Sequence, residues 1–238
     1  MLGKTERLHL GLMLALSFST GIVDAVGYLG LDRVFTANMT GNVVILAMGL
    51  TGAGGLPVIG PLVALVGFVV GAMVAGRLLR GVPKGWTRRD TALLTAVAVL
   101  LVVAVIPTTL IAEGPYPAGI GLPVTALLAV AMGMQGGTAR HIAVADVTTI
   151  VITSTLAGLA FDSWFGRRIG QPWQRRLAAV TLIGLGALVG AALLQVRFWL
   201  GLGLAAAILV VVAVLGHRGQ RSTLVSPEAA EPQRAGGQ

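Results

Sequence analysis

The sequence predicts an all-α integral membrane protein, a polytopic helix bundle, on three observations. Apolar residues make up 55% of the chain and charged residues only 11%, against about a quarter charged in a soluble domain, so the polar surface needed to stay in water is missing. The apolar residues fall in long blocks of the length that spans a bilayer. Backbone groups in hydrocarbon must be paired within their own segment, which makes those blocks helices.

Eight apolar runs follow one another, approximately 8–23, 34–50, 56–76, 91–112, 120–135, 147–161, 177–196 and 198–216. The third, fourth, seventh and eighth are long enough to cross about 30 Å of hydrocarbon at ~1.5 Å per residue. The other four are shorter and form two pairs, each flanking a polar break. The first run starts at Leu8 behind Lys4 and Arg7. It is expected to be an uncleaved helix, because no small-residue cleavage site precedes the polar stretch and further spans follow.

The cations decide the topology. Fourteen of the 17 Lys and Arg lie in the N-terminus, the 77–89 and 167–176 connections and the C-terminal tail. If all eight runs crossed, the two sides would carry nine and eight cations, with no bias at all. If each short pair makes one net crossing, fourteen fall on one side against Arg197 on the other, leaving Arg33 and Arg140 in the breaks. Short cytoplasmic loops collect Lys and Arg, so six net crossings are expected, in the plasma membrane, with both termini cytoplasmic. The same loops account for the net charge of +8 without invoking nucleic acid. The lipid bilayer is the obligatory partner, and a homo-oligomer is compatible with the sequence.

Three net crossings in each half make the second half upside down relative to the first. Residues 1–112 then form a first repeat, 113–216 a second, and 217–238 a disordered cytoplasmic tail rich in Gly, Pro, Ser, Glu and Gln. Internal similarity agrees with a duplication. Met39-Thr40-Gly41-Asn42-Val43 aligns with Ile152-Thr153-Ser154-Thr155-Leu156, and Gly67-x-x-x-Gly71-Ala72 with Gly186-x-x-x-Gly190-Ala191. Gly21-Ile22-Val23-Asp24-Ala25 aligns with Gly133-Met134-Gln135-Gly136-Gly137. Helices that carry small residues four apart pack closely in lipid, a structural role.

The residues able to carry chemistry lie in the breaks. Asp24 shares a helix face with Tyr28, and a carboxylate at membrane depth faces a cavity, a partner or the bundle interior. It reads either as a substrate or proton site or as half of an ion pair, with Arg140 the candidate cation. Asn38, Thr40 and Asn42 open the second run at a spacing that suits unwound chain, and Thr148, Thr149, Thr153 and Thr155 occupy the equivalent place in the second half. Polar interruptions at matching positions of two halves point to a transporter site; the alternative is hydrogen bonding between helices. Gln135, Arg140, His141 and Asp146 mark the second break. His141 reads as a hydrogen-bonded structural residue, since no His or Cys partner stands at helical spacing. With no Cys in the chain, disulfides and thiolate metal sites are excluded. No motif calls for a metal or cofactor, and no P-loop, Gly-x-Ser-x-Gly or His-Glu-x-x-His signature appears.

These residues resemble the YoaK-like family of bacterial membrane proteins of unknown function (domain of unknown function 1275). The resemblance rests on Asp24-Ala25-x-x-Tyr28-Leu29 and Phe35-x-Ala37-Asn38-Met39-Thr40-Gly41-Asn42 in the first half. In the second it rests on Gly133-Met134-Gln135 and Asp146-Val147-Thr148-Thr149 with Thr153-x-Thr155. Gly136 departs from the pattern, where the family carries Asn. The resemblance implies no substrate. The residues themselves lead to a small-molecule or ion transporter or channel, its contacts drawn from Asp24, Tyr28, Asn38, Thr40, Asn42, Gln135, Arg140, Asp146, Thr149, Thr153 and Thr155. The competing expectation is a membrane scaffold, sensor or partner subunit whose polar breaks only lock the bundle.

Overall fold

A computed structural model describes residues 3–109, 118–142, 152–167 and 173–224. Eight α-helices run in the order α1 (Lys4–Gly30), α2 (Met39–Leu50), α3 (Ile59–Leu78), α4 (Arg88–Thr109), α5 (Ala118–Ile142), α6 (Ile152–Phe161), α7 (Trp173–Val196) and α8 (Phe198–Leu224). Six are long and apolar enough to cross a membrane; α2 and α6 are not. Their 12 and 10 residues extend only ~18 and ~15 Å.

The helix boundaries differ from the apolar runs in an instructive way. The first member of each short pair is a full-length helix: α1 continues through Asp24 to Gly30, and α5 continues through Gln135, Arg140 and His141. Polar side chains shorten an apolar run without interrupting the helix, because their backbone groups still pair four residues back. The first break therefore begins at Leu31 and not at Asp24. At the C-terminal end, α8 runs on to Leu224, past residue 216, where the composition changes.

The helices α1 and α5 lie deepest. In their most apolar windows 61% and 56% of residues are buried, against 17% in α7. They share a core with α4 and α8, in which Met13, Leu16, Leu94, Leu101, Leu128, Met132, Leu202 and Leu209 are fully buried. Outside this core, α7 packs along α1 and α3 along α5. Their outward faces expose Val66, Val69, Met73, Leu185 and Leu188, the apolar coat a lipid-facing helix requires.

Both outer contacts use reciprocal glycines. A methyl at Gly21 would collide with the Ile183 carbonyl, and one at Gly186 with the Phe18 carbonyl. In the other pair a methyl at Gly133 would meet the Phe68 carbonyl, and one at Gly71 the Val130 carbonyl. Residue numbers rise together across each contact, so α1 is parallel to α7 and α3 to α5. Backbones this close gain dispersion along their whole length.

One end of the bundle gathers the cations. Leu8 lies against Gly219, Trp86 against Gly216, and the rings of His9 and Trp86 stack at 5.7 Å. Lys4, Arg7, Lys84, Arg88, Arg89, Arg140, Arg175 and Arg218 stand on the helix ends and connections at this level. Among the described residues, the opposite end carries Arg33 and Arg197.

Candidate functional site

The first break is built by doubling the chain back on α1. The amide of Leu31 donates to the Gly27 carbonyl at 2.9 Å and that of Arg33 to the Tyr28 carbonyl at 3.1 Å, closing the helix end. Asp32 and Arg33 both adopt left-handed backbone, with φ of 57° and 59°, a conformation that costs non-glycine residues roughly 1 kcal/mol or more each. The reversal sends residues 34–37 back along the helix. Gly27 admits them: a methyl there would sit 2.9 Å from both the Val34 carbonyl and the Thr36 methyl.

Four polar or aromatic side chains then hold the strap. Asp24 Oδ1 accepts the amides of Thr36 at 2.9 Å and Ala37 at 2.7 Å, and the Thr36 hydroxyl at 3.3 Å. Asn42, fully buried, accepts the Phe35 amide at 3.0 Å and donates to the Phe35 carbonyl at 2.7 Å, imitating a strand pair. Asn38 caps α2, accepting from Gly41 N at 3.2 Å. Tyr28 stacks on Phe35 with ring centroids 4.7 Å apart. Thr40 is exposed.

A second polar cluster lies one turn along α1 from Asp24, where α1 meets α5. Gln135, 2% exposed, donates from Nε2 to the Thr20 hydroxyl at 2.9 Å. Thr20 in turn donates to the Leu16 carbonyl at 2.9 Å. That spends the hydroxyl proton, so Gln135 must present its N–H₂ to Thr20. Its Oε1 is left buried with no partner among the described residues. The hydroxyl of Ser19, also fully buried, is likewise unpartnered there.

The remaining sequence candidates separate. Arg140 is exposed near the cation-rich end. Gln135 is level with Thr20; from there Asp24 lies a turn toward one end and Arg140 more than a turn toward the other, ~13 Å apart along the axes. Arg140 is therefore not the counter-ion of Asp24, whose partners are backbone amides. Thr153 is exposed on α6 and Thr155 partly buried. Asp146 and Thr149, like Thr148, lie outside the described residues.

His141 holds a network of its own. Its Nδ1 lies 2.9 Å from Asp90 Oδ1 and its Nε2 3.2 Å from the Val82 carbonyl. Asp90 is fully buried, and its other oxygen accepts the Thr87 amide at 2.9 Å, a capping box at the start of α4. No cluster of three or more metal-binding side chains exists among the described residues.

Sequence reasoning passed over Thr20, Thr36 and Asp90. Thr20 had a legible signal, standing four residues before Asp24 on the same face. Asp90 follows Thr87 at capping-box spacing.

The fold and the buried polar groups define a polytopic α-helical membrane protein. The chain belongs to the family described as "Protein of unknown function (DUF1275)", whose model matches residues 12–215. It is 35% identical over 153 residues to the UPF0700 transmembrane protein YoaK of Bacillus subtilis (strain 168), a match covering 63% of this chain and 65% of that relative. No solved structure matches it.

Proposed function

We propose that this protein is a small transporter of the plasma membrane with both termini cytoplasmic, and that its substrate site lies where α1 and α5 meet, at Thr20, Asp24 and Gln135. The observation that carries this reading is the buried Gln135 oxygen, which has no donor among the described residues. A buried acceptor without a donor costs about 1–3 kcal/mol, a cost that a contact serving only to lock two helices avoids by pairing both ends of the amide or by using an apolar pair. An acceptor held ready in the middle of the bundle fits a visiting donor.

An inverted repeat is part of the same proposal. Exchanging α1 with α5, α3 with α7 and α4 with α8 maps the packing pairs onto one another except α7 on α8, since α3 does not pack on α4, and the glycine notches correspond at offsets of 112 residues for α1/α5 and 115 for α3/α7. Inverted repeats place substrate sites at the repeat interface near the midplane. By that correspondence the counterpart of Asp24 is Gly136, so the site is lopsided and its charge comes from one half.

A compound bound by the native state must raise its melting temperature. We expect a ligand screen on purified protein to yield stabilising compounds whose effect disappears in Gln135→Leu while the unliganded protein melts no lower. If no compound stabilises the wild type and Gln135→Leu simply raises the melting temperature, the transporter reading fails. The scaffold, sensor or subunit reading would then stand, favoured by the way Asp24, Asn38 and Asn42 spend their hydrogen bonds on the strap.

A further inference from the structure

Resting on the transporter reading, we infer that the substrate is a small cation bearing N–H donors, of the primary-ammonium class, held between the Asp24 carboxylate and the Gln135 side-chain oxygen. The inference starts from charge. Asp24 meets the strap through neutral donors, two amides and a hydroxyl. Such donors spread the negative charge but do not cancel it. Among the described residues no Lys, Arg or His pairs with Asp24. Arg33, on the strap's own reversal, is exposed. Asp90, the charged residue fully buried among those described, is engaged with Thr87 and His141 at the far end of the molecule, while Asp24 is partly buried. A carboxylate at membrane depth with no counter-ion is costly, so the site lacks one positive charge.

Hydrogen bonding specifies the rest. Gln135 Oε1 can only accept, and its amide is oriented by Thr20. Thr20 sits four residues before Asp24, which puts the carboxylate about 6 Å farther along the same face of α1. Gln135 meets α1 at Thr20, so a short amine lying along this face reaches from the glutamine oxygen to the carboxylate. An anion would meet a carboxylate and a carbonyl, both repulsive. A cation without N–H, such as tetramethylammonium, would satisfy the charge and leave Gln135 stranded. A neutral donor such as urea would do the reverse.

The test compares methylammonium, tetramethylammonium, urea and acetate, each by thermal shift of detergent-purified protein and by uptake of the labelled compound into proteoliposomes. Methylammonium should stabilise and be taken up, with the other three weaker by about tenfold or more, the scale of one charge-assisted hydrogen bond. Gln135→Leu should weaken methylammonium by a similar factor and bring it level with tetramethylammonium. Asp24→Asn keeps an acceptor for the strap amides and should bring methylammonium level with urea. If the Asp24 variant does not fold, the Gln135 variant alone decides. Should acetate or urea prove the better ligand, with Gln135→Leu abolishing its effect, the cation inference falls and the transporter reading survives. Should methylammonium and tetramethylammonium act equally, the inference falls as well. If none of the four binds while other compounds do so through Gln135, the substrate class is wrong but the site is right.

Discussion

The side-chain nitrogen of Gln135 lies 2.9 Å from the hydroxyl of Thr20, joining the two most buried helices across 115 residues of sequence. Because Thr20 has already given its proton to Leu16, the glutamine meets it with its N–H₂ and keeps a buried oxygen without a partner among the described residues.

Asn42→Ala should destabilise the protein by about 2–4 kcal/mol, since it strands both the amide and the carbonyl of Phe35 and each orphan costs ~1–3 kcal/mol. Asn42→Asp keeps the acceptor and loses the donor to the Phe35 carbonyl, so it should fall between the two. Thermal melts in detergent, with limited proteolysis of the 31–38 segment, check this. Equal stability of Asn42→Ala and wild type would contradict the strap geometry.

Gly186→Ala and Gly71→Ala should each cost about 1–3 kcal/mol by forcing paired helices apart. Gly184 and Gly203 have nothing within 4 Å of an added methyl, and alanine there should be neutral or mildly stabilising through lower unfolded-state entropy. Melting curves of the four variants check the register directly. Alanine at Gly71 or Gly186 as benign as at Gly184 and Gly203 would contradict these helix contacts.

The absence of cysteine makes topology directly measurable. Single cysteines in place of Glu6, Lys84 and Arg218 should react with a membrane-impermeant maleimide only from the cytoplasmic side. Those in place of Asp32 and Arg197 should react only from the other. Labelling of Lys84→Cys and Glu6→Cys from opposite faces would rule out six net crossings.

His141→Ala and Asp90→Ala should not be additive. Asp90→Ala removes the Thr87 cap as well as the His141 contact, and cap loss alone costs about 0.5–2 kcal/mol. A double-mutant cycle should return a coupling of about 0.5–3 kcal/mol, the range for residues in one hydrogen-bonded network.

Much of this was legible in the chain itself. Solvent transfer is a property of composition, so the membrane class, the eight apolar runs and the cation-rich connections all followed from residue types taken in order. The polar residues of the breaks were legible too, because Asp, Asn and Gln beside apolar runs are costly and therefore stand out. Element ends were less so: α1 and α5 run through their polar residues, since a helix is held by its backbone and a carboxylate does not stop it.

What only the tertiary structure decided was who meets whom. The partners of Asp24 are the amides of Thr36 and Ala37, and a backbone amide leaves no trace in a sequence. The register of α1 on α7 and of α3 on α5 was open because small residues recurring every four positions permit a slip of one turn at little change in composition. The carbonyls of Phe18, Phe68, Val130 and Ile183 close that choice. The meeting of Thr20 with Gln135 depends on how two antiparallel helices cross, a matter of packing among α4, α5 and α8 that no local stretch encodes.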